Sequence, residues 1–211
     1  PDTTLFRSAW GAETATPPAR AGWAMAGNTP FRYFKQSEHR GGQQDALVVH
    51  WPNGIEGRGE IRDQYHHISD IAPTILEAAG LTVPESYHGI AQQPMDGISM
   101  LYAFNDGDAP NRKERQYYEM FGNRAIWVDG WKAVTLHAKR MPWDINVTLP
   151  FEEDEWELHH VAEDFSQSPH AADHYSARPA HPQAVFGYEA RTFHVPPPSL
   201  AMIARLSMPP D

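Results

Sequence analysis

The apolar positions of this chain follow two different periods, and each period predicts a different kind of element. The run ALVVHWP, residues 46–52, is short, apolar and rich in β-branched residues, with two glycines shortly before it and a Pro-Asn-Gly turn at its end. Such a run is typical of a strand. Because it has almost no polar alternation, it favours a parallel sheet that is covered on both faces.

The segment SDIAPTILEAAG, residues 69–80, has helical spacing instead. Ser69 or Asp70 is a suitable N-cap, Pro73 fits only a first turn, and Gly80 is a suitable stop after the last turn. The pattern predicts an amphipathic helix that packs on the sheet. The apolar residues expected on its buried face are Ile68, Ile71, Ile75, Leu76 and Ala79.

The second half of the chain has a different pattern. A short helix is expected near Ser99, and the polar, Gly- and Pro-containing residues 105–114 indicate a subdomain boundary. Beyond it, alternating apolar residues and Asp-Gly type turns predict an antiparallel meander. The predicted strands are Gln116–Phe121, Ala125–Asp129 and Trp131–His137, with turns at Gly122-Asn123 and Asp129-Gly130.

Composition and charge exclude some classes of function. Of the 211 residues, 41 % are hydrophobic and 21 % are charged, which is typical of a globular protein. The net charge of −10 disfavours nucleic acid as a partner, because such binding needs a basic face. One lysine can still dominate a local field and bind a small anion. No apolar run reaches membrane-spanning length and there is no signal pattern, so no membrane partner is expected.

Four segments together resemble one known family. They are NTPFR-x-x-K-x-x-x-H-x-GG (residues 28–42), HHISDIAPTILEAAG (66–80), MFGNRAIWVDGWKAV (120–134) and the WELHH run that begins at Trp156. Over about residues 22–170 the chain resembles the C-terminal part of bacterial arylsulfatases, which are type I sulfatases of the alkaline-phosphatase-like superfamily. The resemblance leaves the compartment open between bacterial cytoplasm and periplasm.

The resemblance implies a fold of the α/β class. It is the C-terminal portion of an alkaline-phosphatase-like α/β/α sandwich, followed by a small antiparallel β-sheet subdomain with a helix. On this basis residues 1–104 are expected to belong to the sulfatase α/β domain and residues 105–175 to the antiparallel subdomain. Residues 176–211 form a Pro-rich tail in which the family pattern fades.

The resemblance also implies an activity, the hydrolysis of aryl or alkyl sulfate esters. In the family a formylglycine hydrate attacks sulfur, while calcium and basic residues bear the developing charge. Lys35 matches the lysine that holds a sulfate oxygen, and His39 is expected to orient the loop or to border the leaving-group pocket. The plainer alternatives are a solvated lysine and a histidine that hydrogen-bonds the loop backbone.

Two further residues are candidates for substrate binding. Trp23 is expected either to line an aryl pocket or to sit in the core. Arg32 is expected either to contact an anionic substrate or to form a salt bridge with a carboxylate at a sheet edge. Gly41 and Gly42 are expected to supply backbone freedom for a tight turn.

The residues that the family uses as nucleophile and metal ligands have no match in this sequence. No C/S-x-P-x-R motif occurs; the nearest string, TPPAR at residues 16–20, has Thr at the modified position. Asn105-Asp106 comes too late in the chain to be a calcium pair, and the adjacent histidine pairs lack zinc-site spacing. We therefore expect a missing N-terminal half to supply formylglycine and calcium, and the chain alone to be inactive.

Two alternatives stay open. One is a related phosphodiesterase or phosphonate hydrolase of the same superfamily. The other is a non-catalytic or split-gene module that binds a partner. The sequence departs from the family pattern after the histidine, where Arg40 replaces an acidic residue, Gln43 replaces an apolar one, and Asp45-Ala46 replaces Thr-Pro.

Overall fold

The computed structural model of the chain describes residues 21–57, 59–137 and 150–168, so the tail 176–211 lies outside the described residues. The described part is mixed α/β, with short helices, one two-stranded hairpin and one four-stranded antiparallel sheet. The helices are α1 Ala21–Gly27, α2 Arg40–Gln43, α3 Ile71–Ala78 and α4 Leu101–Phe104. Single 3₁₀ turns occupy Ile68–Asp70 and Phe151–Glu153. The strands are β1 Ser86–Tyr87, β2 Ile90–Ala91, β3 Arg115–Met120, β4 Asn123–Val128, β5 Trp131–Thr135 and β6 Glu157–His160.

The predicted antiparallel meander is confirmed. Strands β3, β4, β5 and β6 pair in chain order, so β3 and β6 are the edges of this sheet. Asp129 and Gly130 both have positive φ, 44° and 80°, as a two-residue type I′ turn requires. The other turn is Phe121-Gly122 rather than the predicted Gly122-Asn123, because Met120 pairs with Asn123. The hairpin of β1 and β2, which closes at His88-Gly89, was not predicted from the sequence.

The two faces of this sheet differ in character. Cross-strand partners share a face and side chains alternate along each strand, so one face carries Ile126 and Ala133, packed with Tyr117, Val128 and Leu158. The opposite face carries Tyr118, Trp127, Lys132, Glu157 and His159. Tyr65 covers part of that second face by stacking on Trp127 at 3.7 Å between ring centroids. The apolar cluster around Ile126 therefore lies on one face of the sheet, and Lys132, Glu157 and His159 lie on the other.

The predicted helix forms, but a different set of contacts holds it. It ends as expected, with Gly80 at φ 66°. The predicted apolar face does not pack on the sheet: Ile68 is 75 % and Ile75 is 61 % exposed. The buried residues are Asp70 and Thr74. The carboxylate of Asp70 accepts from the backbone N–H of Ile98 at 2.9 Å and pairs with Lys113 at 3.0 Å. The start of this helix is therefore held by polar contacts of the Asp70 carboxylate.

The prediction of a buried strand over 46–52 is wrong for the structure described. The segment has no regular secondary structure, and Leu47 and Val48 are 56 % and 88 % exposed. A strand needs a neighbour to pair its backbone N–H and C=O groups, and no described strand lies beside this segment. Apolar composition alone therefore could not produce the strand, and the described residues do not form the expected sandwich.

The proposed boundary segment 105–114 is tied to the residues before it. The side chain of Asn105 donates to Gly54 O at 2.9 Å and accepts from the backbone N–H of Glu56 at 2.9 Å. Asn111 accepts from the backbone N–H of Tyr65 at 2.7 Å. The division of the chain at this segment stays a prediction.

Candidate functional site

Residues 28–43, here named the Lys35 loop, form a fixed bend with Lys35 exposed near its apex. Tyr33 and Gln36, on either side, have φ of 63° and 76°. Such left-handed backbone costs a residue other than glycine about 1–2 kcal/mol. Asn28 donates through Nδ2 to Tyr33 O at 3.0 Å, and Asn123 donates through Nδ2 to Gln36 O at 2.6 Å. Both strained positions are thus held by amide side chains.

Gly41 and Gly42 allow the loop to fold back on itself. A Cβ at Gly41 would overlap the carbonyl oxygens of Arg32 and Tyr33, and one at Gly42 would overlap the carbonyl of Ser37. Neither glycine has positive φ, and both lie in α2. The sequence was therefore right that these glycines are structural, but the reason is close backbone approach rather than turn freedom.

Lys35 makes no hydrogen bond or ion pair with any other described residue, in contrast to the cationic side chains around it. Arg32 pairs with Glu157 at 2.6 Å and donates to Gln167 O at 3.1 Å. Glu157 begins the edge strand β6, so the sheet-edge salt bridge considered for Arg32 is present. The role of Arg32 in substrate binding stays a prediction, and the ammonium of Lys35 is available to a ligand.

His39 is completely buried beneath the loop. Its Nδ1 lies 2.9 Å from Ser37 Oγ, and its ring lies 4.7 Å from that of Tyr33. Burial lowers the pKa of His39 to about 4, against a weaker opposing effect of Glu157, so the ring is neutral near pH 7. The tautomer that fits accepts at Nδ1 from the Ser37 hydroxyl and carries its proton on Nε2. Because it is buried, His39 is suited to orienting the loop, and its catalytic role stays a prediction.

Glu157 is the residue on which this network converges, and the sequence did not single it out. His39 Nε2 and His159 Nε2 lie 3.4 and 3.3 Å from its carboxylate, as electrostatic contacts rather than well-formed hydrogen bonds. His159 Nδ1 also contacts Asp164 at 2.7 Å. Burial raises the pKa of Glu157, but the surrounding donors outweigh burial and hold that pKa well below its usual range. The one sequence signal was the WEL motif, which places a carboxylate at the start of a strand.

The order Ser37, His39, Glu157 resembles a hydroxyl–imidazole–carboxylate relay, but it is not a nucleophilic site. Ser37 is 1 % exposed, so no substrate in solvent reaches it. Its Oγ also accepts from the backbone N–H of His39 at 3.2 Å. Both the position of the hydroxyl and its hydrogen bonds are those of a loop-stabilising serine.

Two of the residues that depart from the pattern described above, Arg40 and Gln43, have structural partners. Arg40 donates to Phe165 O at 3.0 Å, and its guanidinium lies 4.2 Å from the Phe165 ring centroid. Gln43 bridges Glu38 and Lys132 under the loop. Burial lowers the pKa of Lys132 to about 7 and raises the pKa of Glu38 to about 7. Because Lys132 is buried, its ammonium is not accessible to a sulfate group in solution, which is the role expected of Lys35.

The structure brings some of the predicted site residues together and leaves others apart. Arg32 and His39 meet at Glu157, and Lys35 lies on the same loop but faces solvent. Trp23 lies on α1, just before the loop, and is 59 % exposed, which excludes the core alternative within the described structure. Its place beside an aryl group stays a prediction.

Among residues 21–57, 59–137 and 150–168, no three His, Asp or Glu side chains are arranged to hold a metal ion. In the same ranges, no helix is both long and apolar enough to cross a bilayer.

Comparison with known proteins finds a partial structural similarity. No family model matches the sequence. Among solved structures, the chain is similar to the crystal structure of Ps i-CgsB, with 21 % sequence identity and a TM-score of 0.49. The matched region covers 79 % of this chain and 32 % of that one, so the chain spans about a third of the solved protein's length. A likeness of this size assigns neither a family nor an activity.

Proposed function

We propose that this chain supplies the lysine-bearing loop of a sulfuric ester hydrolase of the arylsulfatase type. The observation that carries the proposal is the state of Lys35: it is exposed and unpaired among the described residues, and amide side chains hold the backbone of the loop on either side of it. A surface lysine with only a solubilising role does not need its neighbours held in left-handed backbone. Such strain is typical of positions where function requires a particular geometry.

Lys35 is suited to bind a non-bridging oxygen of the sulfate group. Negative charge on these oxygens is greatest in the transition state, where a charged donor at 2.7–3.1 Å is most effective. Because Lys35 has no partner among the described side chains, a substrate would not have to displace an internal salt bridge. Removing one such donor typically lowers kcat by about 10²–10³-fold.

The α/β/α sandwich and the rest of the site are part of the same proposal. In this proposal segment 46–52, which is not a strand in the described structure, becomes one only by pairing with polypeptide outside the described residues. The exposure of Leu47 and Val48 supports this assignment, because exposed β-branched and aliphatic runs are otherwise unfavourable. The nucleophile and calcium ligands are assigned to that same polypeptide, and no step of the reaction is assigned to a metal here.

The test uses the polypeptide encoded by the complete gene and an aryl sulfate whose phenol product absorbs light. We expect Lys35→Met to lower kcat/KM by about 10²–10³-fold. Arg112→Gln removes an exposed positive charge elsewhere and is the matched control, expected to leave kcat/KM unchanged. Full activity of Lys35→Met would refute the role of Lys35. Turnover of phosphate diesters or phosphonates, with none of sulfate esters, would favour the phosphoryl-transfer relative instead.

A non-catalytic module that binds a partner is the second candidate, and the exposed apolar side chains favour it. Besides Leu47 and Val48, the helix residues Ile68 and Ile75 are largely exposed. Sedimentation of the purified 211-residue chain tests this candidate. A stable, monodisperse monomer without sulfate-ester turnover supports an independent module. A chain that aggregates alone but becomes monodisperse when mixed with the polypeptide proposed to carry the nucleophile supports the split enzyme.

A further inference from the structure

Asn123 connects the apex of the Lys35 loop to the antiparallel sheet. It is the first residue of β4, directly after the Phe121-Gly122 turn, and it is 4 % exposed. Its Nδ2 donates to Gln36 O at 2.6 Å, and its Oδ1 accepts from the backbone N–H of His137 at 2.9 Å. Both ends of the amide are therefore used, which fixes its orientation.

The turn that carries Asn123 is itself braced. The carboxylate of Asp154 pairs with Arg124 Nη2 at 2.6 Å and with His137 Nδ1 at 2.8 Å. Arg124 follows Asn123 in the strand, and the backbone N–H of His137 donates to Asn123 Oδ1. The ring of His137 also stacks on Phe151 at 4.0 Å between centroids. Asn123 is thus held between buried polar contacts, and the apex of the Lys35 loop is hydrogen-bonded to it.

The loop contacts of Arg32 and Arg40 lie farther from Lys35, and those of Asn28 lie within the loop itself. Arg32 binds Glu157 and Arg40 binds Phe165 O, so both hold the base of the loop. Asn28 reaches Tyr33 O and Gly41 O, which are both loop atoms. Of these contacts, the hydrogen bond from Asn123 is the one that joins a residue adjacent to Lys35 to the sheet.

We propose that Asn123 is a positioning residue for Lys35, a role that rests on the proposed sulfate-ester hydrolysis. By holding Gln36 in left-handed backbone, Asn123 determines where the Lys35 ammonium lies relative to a bound sulfate group. Displacing a catalytic group by about 1 Å can lower a rate by about 10²-fold. The residue acts through the loop and does not touch the substrate.

The variant Asn123→Asp keeps the shape of the side chain but replaces the donor with a carboxylate that repels Gln36 O. Asn105→Asp is the matched control, since Asn105 makes the same kind of amide contact to a carbonyl, Gly54 O, in another loop. Asn123→Ser, which removes the contact without adding charge, serves if the aspartate variant does not fold. Circular dichroism and the thermal midpoint monitor folding of each variant.

The first readout does not depend on activity. Limited trypsin cleavage of the 211-residue chain after Lys35, followed by mass spectrometry, reports how often the loop apex opens. We expect Asn123→Asp to accelerate this cleavage by at least about tenfold relative to wild type, and Asn105→Asp to leave it unchanged. An unchanged cleavage rate in a folded Asn123 variant would show that Asn123 does not hold the apex of the Lys35 loop, and the proposal would be overturned.

The second readout is the kinetics of the polypeptide encoded by the complete gene. We expect Asn123→Asp to lower kcat by about 10–100-fold with KM changed by less than about threefold, because the misplaced ammonium is felt mainly in the transition state. Faster cleavage with unchanged kcat would make Asn123 merely structural and would overturn the positioning role. If Lys35→Met retains full activity, the proposed function itself fails, and the cleavage result still decides the structural part.

Discussion

Acid destabilises this fold through His39, and the effect can be isolated by one substitution. The His39 ring is buried without a charge, and burial lowers its pKa from 6.5 to about 4. Between these two pH values the unfolded chain binds a proton at this position and the folded chain does not. The free energy of unfolding must therefore fall as the pH falls from about 6.5 to about 4.

The size of the effect follows from the same two pKa values. One proton of difference is worth about 1.4 kcal/mol for each pH unit. At pH 5 the His39 contribution lowers the free energy of unfolding by about 2 kcal/mol relative to pH 7, and the full loss by pH 4 is about 3 kcal/mol. For a domain of marginal stability this is a large fraction of the total.

Other buried groups titrate nearby, so the wild-type curve alone does not isolate His39. Burial raises the pKa of Glu38 to about 7, which stabilises the folded state as the pH falls from 7 towards 4.5 and so opposes His39. Burial also lowers the pKa of His67, which acts in the same direction as His39. The lowered pKa values of Glu157 and Asp70 add losses mainly below about pH 4.5.

The measurement is the difference between wild type and His39→Gln in urea unfolding, followed by tryptophan fluorescence from pH 7 to about pH 4.5. Glutamine keeps one donor and one acceptor but does not titrate. We expect the wild type to lose about 2 kcal/mol more than this variant between pH 7 and pH 5. His50→Gln, at an exposed position, is the control and should follow wild type. Parallel pH curves for wild type and His39→Gln would refute the reasoning.

Two further predictions concern stability. Asp70→Asn leaves the buried ammonium of Lys113 without its counter-charge, so we expect the free energy of unfolding in urea at pH 7 to fall by about 3–5 kcal/mol. The control Asp63→Asn, at an exposed position, should change it little. Equal urea midpoints for the two variants would contradict the stabilising role of the Asp70–Lys113 pair. Gly42→Ala places a methyl group against a backbone carbonyl and should lower the thermal midpoint. Gly22→Ala, with open space around it in α1, should raise the free energy of unfolding by about 0.5–1 kcal/mol. If Gly42→Ala proved more stable than Gly22→Ala, close backbone approach would not be the reason for glycine at position 42.

Elements whose signals are local were predictable from the sequence. The Asp129-Gly130 turn needs two residues that tolerate positive φ, and the flanking alternation defines which face each strand residue takes. The helix over residues 71–78 has a local stop signal, and the terminating Gly80 occupies the left-handed position expected of it. Its predicted N-cap, Asp70, makes no side-chain capping hydrogen bond to this helix. Such preferences act within a few residues, so a single sequence carries them in full.

Elements that need a distant partner were not predictable in the same way. The run 46–52 has a strand's composition, yet it is not a strand where no described neighbour pairs with it. The apolar face expected for α3 is exposed for the same reason, since burial requires a second surface. Segment 46–52 and the exposed residues Ile68 and Ile75 are close in sequence, and the proposed sandwich would bury both.

For the candidate site, the spacing of residue types was enough to single out Lys35, His39, Arg32, Trp23 and the two glycines, because a motif records residue types at fixed positions. Their different surroundings came from the folded chain, which exposes Lys35, buries His39, and joins Arg32 to Glu157, 125 positions later in the sequence. It also brought Asn123 to the loop apex from 87 positions away. Contacts at such separations depend on how the sheet and loop pack together, and no local pattern in the sequence encodes that packing.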